Sequence, residues 1–328
     1  MRIEDNTFGI VNVQTTYRCQ MKCANCYLGN MLNNPKFEEM EMSRLENLLR
    51  KLPKRVEIRF SGAEPTMHRK FPEMIRLTRQ YGHRPTLLTN GLKMRKDTYT
   101  RELKKAGLYI VGLSTNGGLD DSVYERFDNG RYASQKMHAL ENCFRNKIVP
   151  HTNIILDPTN HHVIRPLYDR VIELAKKYNI KLGMRFPSTF RVKSVGKIGA
   201  YLDTYTYTLD ELIEIMEDAL KQKIKPVYAI QGYEEKNICV YAVETEAGTL
   251  FGKITDWTVD DDGIPDAGSA RRGVLTYDDE IVSGFEYMGE IDEVHQPRME
   301  KRELRALAQQ GNRPNGNQQG AVRAAVNS

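Results

Sequence analysis

Six segments rich in apolar and β-branched residues alternate with amphipathic segments between the N-terminus and residue 188. In the amphipathic segments, such as "KFPEMIRLTRQYG", apolar residues recur at the three- and four-residue spacing of one helix face. Strands that alternate with helices require a parallel sheet with right-handed crossovers. The order therefore predicts an α/β fold in which six units curl into a partial (β/α)6 barrel, with strands over residues 8–16, 55–62, 84–91, 108–116, 150–157 and 180–187.

The pattern changes after residue 188. Residues 209–223 predict one more helix, and "NICVYAVETE" and "TLFGKITDWTVDDDG" are typical of antiparallel strands joined by Gly and acidic turns. We expect residues 1–188 to form the TIM-like partial barrel core and residues 189–296 to form a small C-terminal α+β cap over the substrate region. Residues 297–328 begin as a helix and become rich in Gly, Asn and Gln, which predicts a disordered tail.

Composition narrows the class of protein. The 328 residues, with 40% hydrophobic and 28% charged side chains, suit one large globular domain with an appendage. No segment is apolar for the roughly 18 residues of a membrane span, and the N-terminus lacks a signal peptide's order, so we expect a cytoplasmic protein with no membrane partner. Basic residues are scattered among acidic ones despite the net charge of +5, which favours a solvated surface and argues against nucleic acid as a partner.

Three of the five cysteines lie within "CQMKCANCY", directly after the first predicted strand. An odd number of cysteines in a long chain without a secretion signal does not indicate a disulfide framework. Thiolates on one loop can bind a metal centre, and thiolate-only ligation suits zinc or an iron–sulfur cluster. Structural zinc normally takes four protein ligands, whereas we expect Cys143 and Cys239 to be buried small residues of a helix and a strand. Three thiolates on a cubane cluster leave one iron open to a small molecule.

The spacing C-x3-C-x2-C, formed by Cys19, Cys23 and Cys26, resembles the signature of the radical S-adenosylmethionine (SAM) superfamily. At the end of the second predicted strand, "RFSGAEPTMH" resembles that superfamily's GGEP element, which here consists of Gly62, Ala63, Glu64 and Pro65. "LLTNG" and "VGLSTNG" close the third and fourth strands and are similar to motifs of the MoaA-like and SPASM-like branches. The resemblance covers about residues 8–188.

This resemblance implies two cofactors, a [4Fe-4S] cluster on the three cysteines and SAM on its open iron. The GAEP segment would contact the amino group of SAM, with Glu64 as an anionic acceptor. The polar side chains that would reach the ribose or carboxylate of SAM from the later strands are Ser114, Asn116 and Asn153. Arg185, in the sixth predicted strand, either pairs with a carboxylate or holds the barrel mouth together. The superfamily usually has an aromatic residue before the last cysteine, whereas here Tyr27 follows it, so Tyr27 is a further candidate contact.

The implied function is that of a radical SAM enzyme. In this superfamily the reduced cluster gives one electron to SAM, which yields methionine and a 5′-deoxyadenosyl radical that abstracts hydrogen from a substrate. We expect a small-molecule substrate of the nucleotide or sugar class and a one-electron reductant such as flavodoxin or ferredoxin. Only Cys239 follows residue 188, so we expect no auxiliary cluster, and only 18 residues precede Cys19, so we expect no leader-binding or cobalamin domain.

Two alternatives remain open from the sequence. One is an activase that generates a radical on a protein partner, and the other is a non-catalytic iron–sulfur or zinc protein in which the cysteines hold a loop. Glu64 in its GAEP setting discriminates SAM binding from a structural metal site, because a structural metal site needs no such segment.

Overall fold

A computed structural model describes residues 9–24, 26, 28, 31–52, 55–195, 207–226, 238–257, 272–275 and 281–283. The strands in these residues are β1 (Ile10–Gln14), β2 (Glu57–Ser61), β3 (Arg84–Thr89), β4 (Ile110–Ser114), β5 (Val149–Ile155), β6 (Thr189–Val195), β7 (Ile238–Thr245), β8 (Gly248–Trp257), β9 (Arg272–Leu275) and β10 (Ile281–Ser283). The α-helices are α1 (Met42–Lys51), α2 (Phe71–Gln80), α3 (Asp97–Ala106), α4 (Asp121–Asp128), α5 (Ala133–Arg145), α6 (Ile164–Lys177) and α7 (Leu209–Leu220). Of the helices described, none has the length and apolar composition of a membrane span.

All ten strands belong to one sheet, in the order β10-β9-β1-β2-β3-β4-β5-β6-β8-β7. Neighbouring strands from β1 to β6 are parallel, and β8 continues the parallel pairing beside β6. In the described residues the sheet ends at β10 and β7 and is not closed. The predicted α/β fold with a partial barrel is confirmed, and the first five predicted strands each contain the observed one to within one residue.

The predicted sixth strand, residues 180–187, is wrong. The chain turns there, because the Phe186 amide donates to the carbonyl of Gly183 at 2.9 Å and Gly183 has a φ of +139°, which suits glycine. The strand forms instead in the following segment "TFRVKSV", whose β-branched and aromatic residues favour it. Residues 180–187 are thus an apolar run interrupted by Gly and Pro, and the strand begins only after them, at Thr189.

The strands after residue 188 extend the same sheet at both edges. β8 pairs with β6 along its length, and β9 pairs in parallel with β1 at the other side. β7 and β10 complete the two edges as antiparallel strands. The cap boundary at residue 188 stays a prediction, and residues 284–328, which include the predicted tail, lie outside the described residues.

One face of the sheet packs on the helices. Phe60 of β2 contacts Phe71 of α2 edge to face with ring centroids 5.4 Å apart, and Phe190 of β6 contacts Tyr168 of α6 at 6.0 Å. Because successive side chains of a strand point to opposite faces, the residues that alternate with Phe60 and Phe190 lie on the other face. We call this the inner face. It carries many polar side chains, among them Asn12, Gln14, Arg59, Ser61 and Asn153.

Candidate functional site

The cysteine loop, residues 15–28, leaves the carboxyl end of β1 and is anchored on its neighbours. Met21, Ala24 and Leu28 are buried, and the Ala24 amide donates to the carbonyl of Phe127 in α4 at 2.8 Å. The Asn33 side chain accepts from the Cys19 amide at 2.9 Å and donates to the Cys19 carbonyl at 3.0 Å. These contacts fix the first cysteine and the middle of the loop.

The three loop cysteines are half-buried. The Cys19 sulfur accepts from the Met21 amide at 3.3 Å and from the Asn90 Nδ2 amide at 3.6 Å. Burial raises the pKa of Cys19 to about 11, although the Met21 hydrogen bond opposes the shift, and burial followed by the Asp128 charge raises the pKa of Cys23 well above its usual value. The charge of Cys26 adds to both shifts, so the three thiols lie within electrostatic reach of each other.

This donor set fits an iron–sulfur cluster. N–H donors to a cysteine sulfur are the partners that stabilise a metal-bound thiolate. In the part of the chain that the structure describes, no three His, Cys, Asp or Glu side chains are arranged to hold a single metal ion. The fit therefore rests on three thiols of one loop and their donors. Cys143 and Cys239 are buried on α5 and on the edge strand β7, as predicted.

The GAEP segment, residues 62–65, lies directly against the start of the cysteine loop. The Ala63 amide donates to the Thr16 carbonyl at 3.1 Å, and the Glu64 amide donates to the Arg18 carbonyl at 3.1 Å. Gly62 has a φ of +120°, and a Cβ there would stand 2.8 Å from the Thr16 carbonyl oxygen. Only glycine suits both the backbone and the close approach. The fold thus brings together the two motifs that the sequence separates by more than 30 residues.

The Glu64 side chain is fully buried, and both carboxylate oxygens accept hydrogen bonds. Oε1 accepts from the Thr66 amide at 3.1 Å, the Thr66 hydroxyl at 2.6 Å and the Thr89 hydroxyl at 2.7 Å, while Oε2 accepts from the Asn90 amide at 2.8 Å. Glu64 therefore ties the end of β2 to the end of β3. Since Asn90 in turn donates to Cys19, Glu64 helps to position that cysteine. Pro65 opens the short 3-10 turn Pro65–Met67 next to it.

Ser114 and Asn153 are partners in register at the carboxyl halves of β4 and β5. The Asn153 side chain donates to the Leu113 carbonyl at 3.2 Å and remains half-buried on the inner face. Asn116 is only 3% exposed, and its side-chain oxygen accepts from the Ile155 amide at 2.9 Å, so it closes the end of β5. Ser114 and Asn153 thus line the inner face, and Asn116 holds the backbone behind them.

Arg185 lies elsewhere. Its carbonyl accepts from the hydroxyl of Tyr109, which immediately precedes β4, at 2.7 Å. Arg185 thus sits at the amino ends of the strands, opposite the cysteine loop, because β6 begins only at residue 189. Its assignment to the barrel mouth depended on the strand that proved wrong. Tyr27 lies outside the described residues.

The sequence interpretation missed an ion pair beside Cys23. Lys136 of α5 and Asp128 of α4 have side chains only 2% exposed, with 3.4 Å between Nζ and Oδ2. Lys136 also donates to the Ser114 carbonyl at 2.9 Å, and Asp128 is hydrogen-bonded to Cys23. No spacing in the sequence marks this pair. Asn90, by contrast, stands in the quoted "LLTNG" and was recognisable there.

Fold and site together place the cysteine loop at the carboxyl edge of a partial barrel, the edge where such folds build active sites. Residues 13–171 match the family model described as the Radical SAM superfamily. These residues, just under half of the chain, are similar to the radical SAM superfamily. Enzymes of this superfamily bind a [4Fe-4S] cluster and SAM, and they need a source of electrons.

The relatives of this chain are named for different activities. The chain is 31% identical over 155 residues to 7,8-dihydro-6-hydroxymethylpterin dimethyltransferase of Methanocaldococcus jannaschii, which covers 46% of this chain and 30% of that protein. It is 29% identical over 161 residues to Fe-coproporphyrin III synthase of Methanosarcina barkeri, covering 48% and 39%. It is also 29% identical over 138 residues to GTP 3′,8-cyclase of Marinobacter nauticus, covering 41% of each. The chain thus spans less than half the length of these relatives.

Among solved structures, SuiB of Streptococcus suis bound to SAM matches with a TM-score of 0.53 and 17% identity, over 66% of this chain and 48% of that one. SuiB bound to its precursor peptide SuiA gives the same TM-score and identity, over 65% and 46%. At this identity the likeness shows the fold alone.

Proposed function

We propose that the chain is a radical SAM enzyme in which Cys19, Cys23 and Cys26 ligate the cluster and SAM lies beside it on the inner face. The observation that carries this proposal is the docking of the GAEP segment on the cysteine loop through Ala63 and Glu64. A loop held only by a structural metal needs no second motif against it. When bound, the cluster and SAM supply a one-electron reductive cleavage that gives methionine and a radical able to remove hydrogen from a substrate.

The chain's own residues would bind and orient these groups. Asn90 and the Met21 amide donate to the Cys19 sulfur, and the GAEP backbone forms the wall next to it. Ser114 and Asn153 present a hydroxyl and an amide on the inner face and are the proposed contacts to SAM. Tyr27 stays a candidate contact on its sequence position, and Asn116 is proposed to support the site from behind.

We further propose that the substrate is a small molecule of the nucleotide class and that flavodoxin or ferredoxin supplies the electron. The relative named GTP 3′,8-cyclase supports the substrate class, and the polar inner face supports a hydrophilic substrate. The peptide of the SuiB complex is a weaker guide, because that likeness extends to the fold alone.

The test is anaerobic reconstitution with iron and sulfide, followed by dithionite and SAM, with 5′-deoxyadenosine as the product measured. The control is the variant Cys19→Ala/Cys23→Ala/Cys26→Ala. Formation of 5′-deoxyadenosine by the wild type alone, with about four irons per chain, is the expected result. A protein that forms the cluster and never cleaves SAM, or that binds zinc and no cluster, contradicts the proposal.

A further inference from the structure

The carboxyl end of α4 holds the cysteine loop on both sides of Cys23. The Asn129 side-chain amide donates to the carbonyl of the residue before Cys23. The Ala24 amide, which follows Cys23, donates to the Phe127 carbonyl at 2.8 Å. Asp128 lies between Phe127 and Asn129 and is hydrogen-bonded to Cys23 itself. Consecutive residues of the helix end therefore contact consecutive residues of the loop, which fixes the Asp128 carboxyl group beside the Cys23 sulfur.

A buried lysine holds this carboxyl group. The side chains of Asp128 and Lys136 are each only 2% exposed, with 3.4 Å between Nζ and Oδ2. The same Nζ donates to the Ser114 carbonyl at 2.9 Å and lies 5.1 Å from the ring centre of Tyr124. Oδ2 accepts no hydrogen bond from the described residues, so its contact with Lys136 is an ion pair alone. Because an acidic side chain is rarely buried this deeply unless it is paired, Lys136 is what allows a negative charge at this place.

The two charges act on Cys23 with opposite signs. Burial raises the pKa of the Cys23 thiol, the charge of Asp128 raises it further, and the charge of Lys136 opposes the rise. The carboxylate is the stronger of the two because it is hydrogen-bonded to Cys23. A negative charge beside a ligand sulfur disfavours an added electron, and the net charge around an iron–sulfur cluster is one of the factors that set its reduction potential.

We propose that Asp128 lowers the reduction potential of the cluster that Cys23 ligates, and that Lys136 retains this carboxylate in the fold and moderates its effect. A cluster at lower potential gives up its electron more readily, which the reductive cleavage of SAM demands. Asp128 and Lys136 are positioning residues, since they act through Cys23 and are not themselves ligands. The inference rests on the proposed function, because it requires a cluster on the three cysteines.

A redox titration of the full-length, anaerobically reconstituted protein tests the proposal, with the electron paramagnetic resonance signal of the reduced cluster as the readout and no SAM present. Asp128→Asn keeps the shape of the side chain, removes its charge and can donate an N–H to the sulfur. We expect it to raise the midpoint potential by about 59 mV, which is a tenfold change in the equilibrium constant of a one-electron couple. The matched control Glu125→Gln removes a carboxylate from an exposed position of the same helix and should leave the potential unchanged.

The lysine supplies a test of sign. Lys136→Met leaves the carboxylate without its cation and should lower the potential. Asp128→Asn/Lys136→Met should lie between the wild type and Asp128→Asn, because the carboxylate is the stronger of the two charges. A purely structural role of the pair would reduce the iron content of the variants and would not move their potentials in opposite directions.

Equal potentials in the wild type and Asp128→Asn, or an equal shift in Glu125→Gln, overturn the proposal. A shift of Asp128→Asn and Lys136→Met in the same direction also overturns it. If either single variant fails to fold in a thermal melt, the double variant against the wild type gives the decisive comparison, and an unchanged or lower potential there refutes the inference. The potential is measured without turnover. A wild type that binds the cluster and never cleaves SAM therefore contradicts the proposed function alone, whereas unshifted potentials in an active enzyme contradict this inference alone.

Discussion

Two lysines of this protein lie in opposite electrostatic surroundings. Lys136, beside the cysteine loop, is paired with Asp128 and also donates to the Ser114 carbonyl, so its charge is matched within the fold. Lys193, on the inner face of β6, lies next to Arg191, and its pKa is lowered to about 8 by burial and that neighbour. The first lysine holds two helices and a strand together. The second is buried beside a like charge.

The difference separates two regions of the molecule. On the cysteine side, the Glu64 carboxylate is held by hydrogen bonds from Thr66, Thr89 and Asn90, which suits a wall that must hold cofactors in one geometry. On the inner face of β6, burial and the like charge of Arg191 both disfavour the charged form of Lys193. Substitutions of the two lysines should therefore change stability in opposite directions.

The largest effect is expected for Lys136→Met. Removal of the cation leaves the buried Asp128 carboxylate without its partner, which typically costs about 3–5 kcal/mol of unfolding free energy. Urea unfolding of the purified protein measures the change. Asp128→Asn/Lys136→Met should recover most of the loss, since it removes the second charge too. The control is Lys105→Met, at an exposed position of α3. An equal loss of unfolding free energy in this control would refute the special role of the buried Lys136–Asp128 pair.

For Lys193→Met we expect a smaller change in the free energy of unfolding, of the opposite sign. Because the pKa of Lys193 is about 8 in the fold and near 10.5 in the unfolded chain, the unfolded chain binds more protons between these pH values. The penalty is fully present below pH 8 and is relieved as the pH rises to 10.5, by up to about 3 kcal/mol. The variant should be more stable than the wild type at pH 7.

Urea titrations at several pH values between 7 and 10.5 check this prediction. The difference between wild type and Lys193→Met removes the contribution of other titrating groups, and it should shrink as the pH rises. A variant that is less stable than the wild type at pH 7 would contradict this prediction, because the interactions of Lys193 would then outweigh the cost of burying its charge.

The smallest expected effect is that of Glu64→Gln, and it concerns the formation of 5′-deoxyadenosine. The amide keeps the size of the side chain but places a donor against the amides and hydroxyls that now donate to the carboxylate. We expect iron content to be retained and 5′-deoxyadenosine formation to fall on the order of tenfold, as for other residues that support a metal site. Glu102→Gln, at an exposed position of α3, is the control. Loss of iron together with activity would assign Glu64 to the cluster instead.

The local patterns of the sequence predicted the parallel strands β1 to β5, the cysteine loop after β1 and the GAEP segment after β2. These features depend on short-range properties, namely apolar periodicity, residue types at fixed spacing and the backbone freedom of Gly62. The predicted sixth strand failed because an apolar run with Gly183 and Pro187 carries the same signal as a strand, and Arg185 was misplaced with it. Register against neighbouring strands decided where β6 lies.

The sequence by itself indicated the class of chemistry, because three thiols on one loop and a second motif after the next strand carry the resemblance to the radical SAM superfamily. Only the tertiary structure decided which polar side chains meet. The Lys136–Asp128 pair joins two helices, Glu64 accepts from Asn90 at the end of the next strand, and Arg191 lies in register with Lys253, 62 positions later in the sequence. These contacts depend on strand order and register, which are properties of the whole sheet.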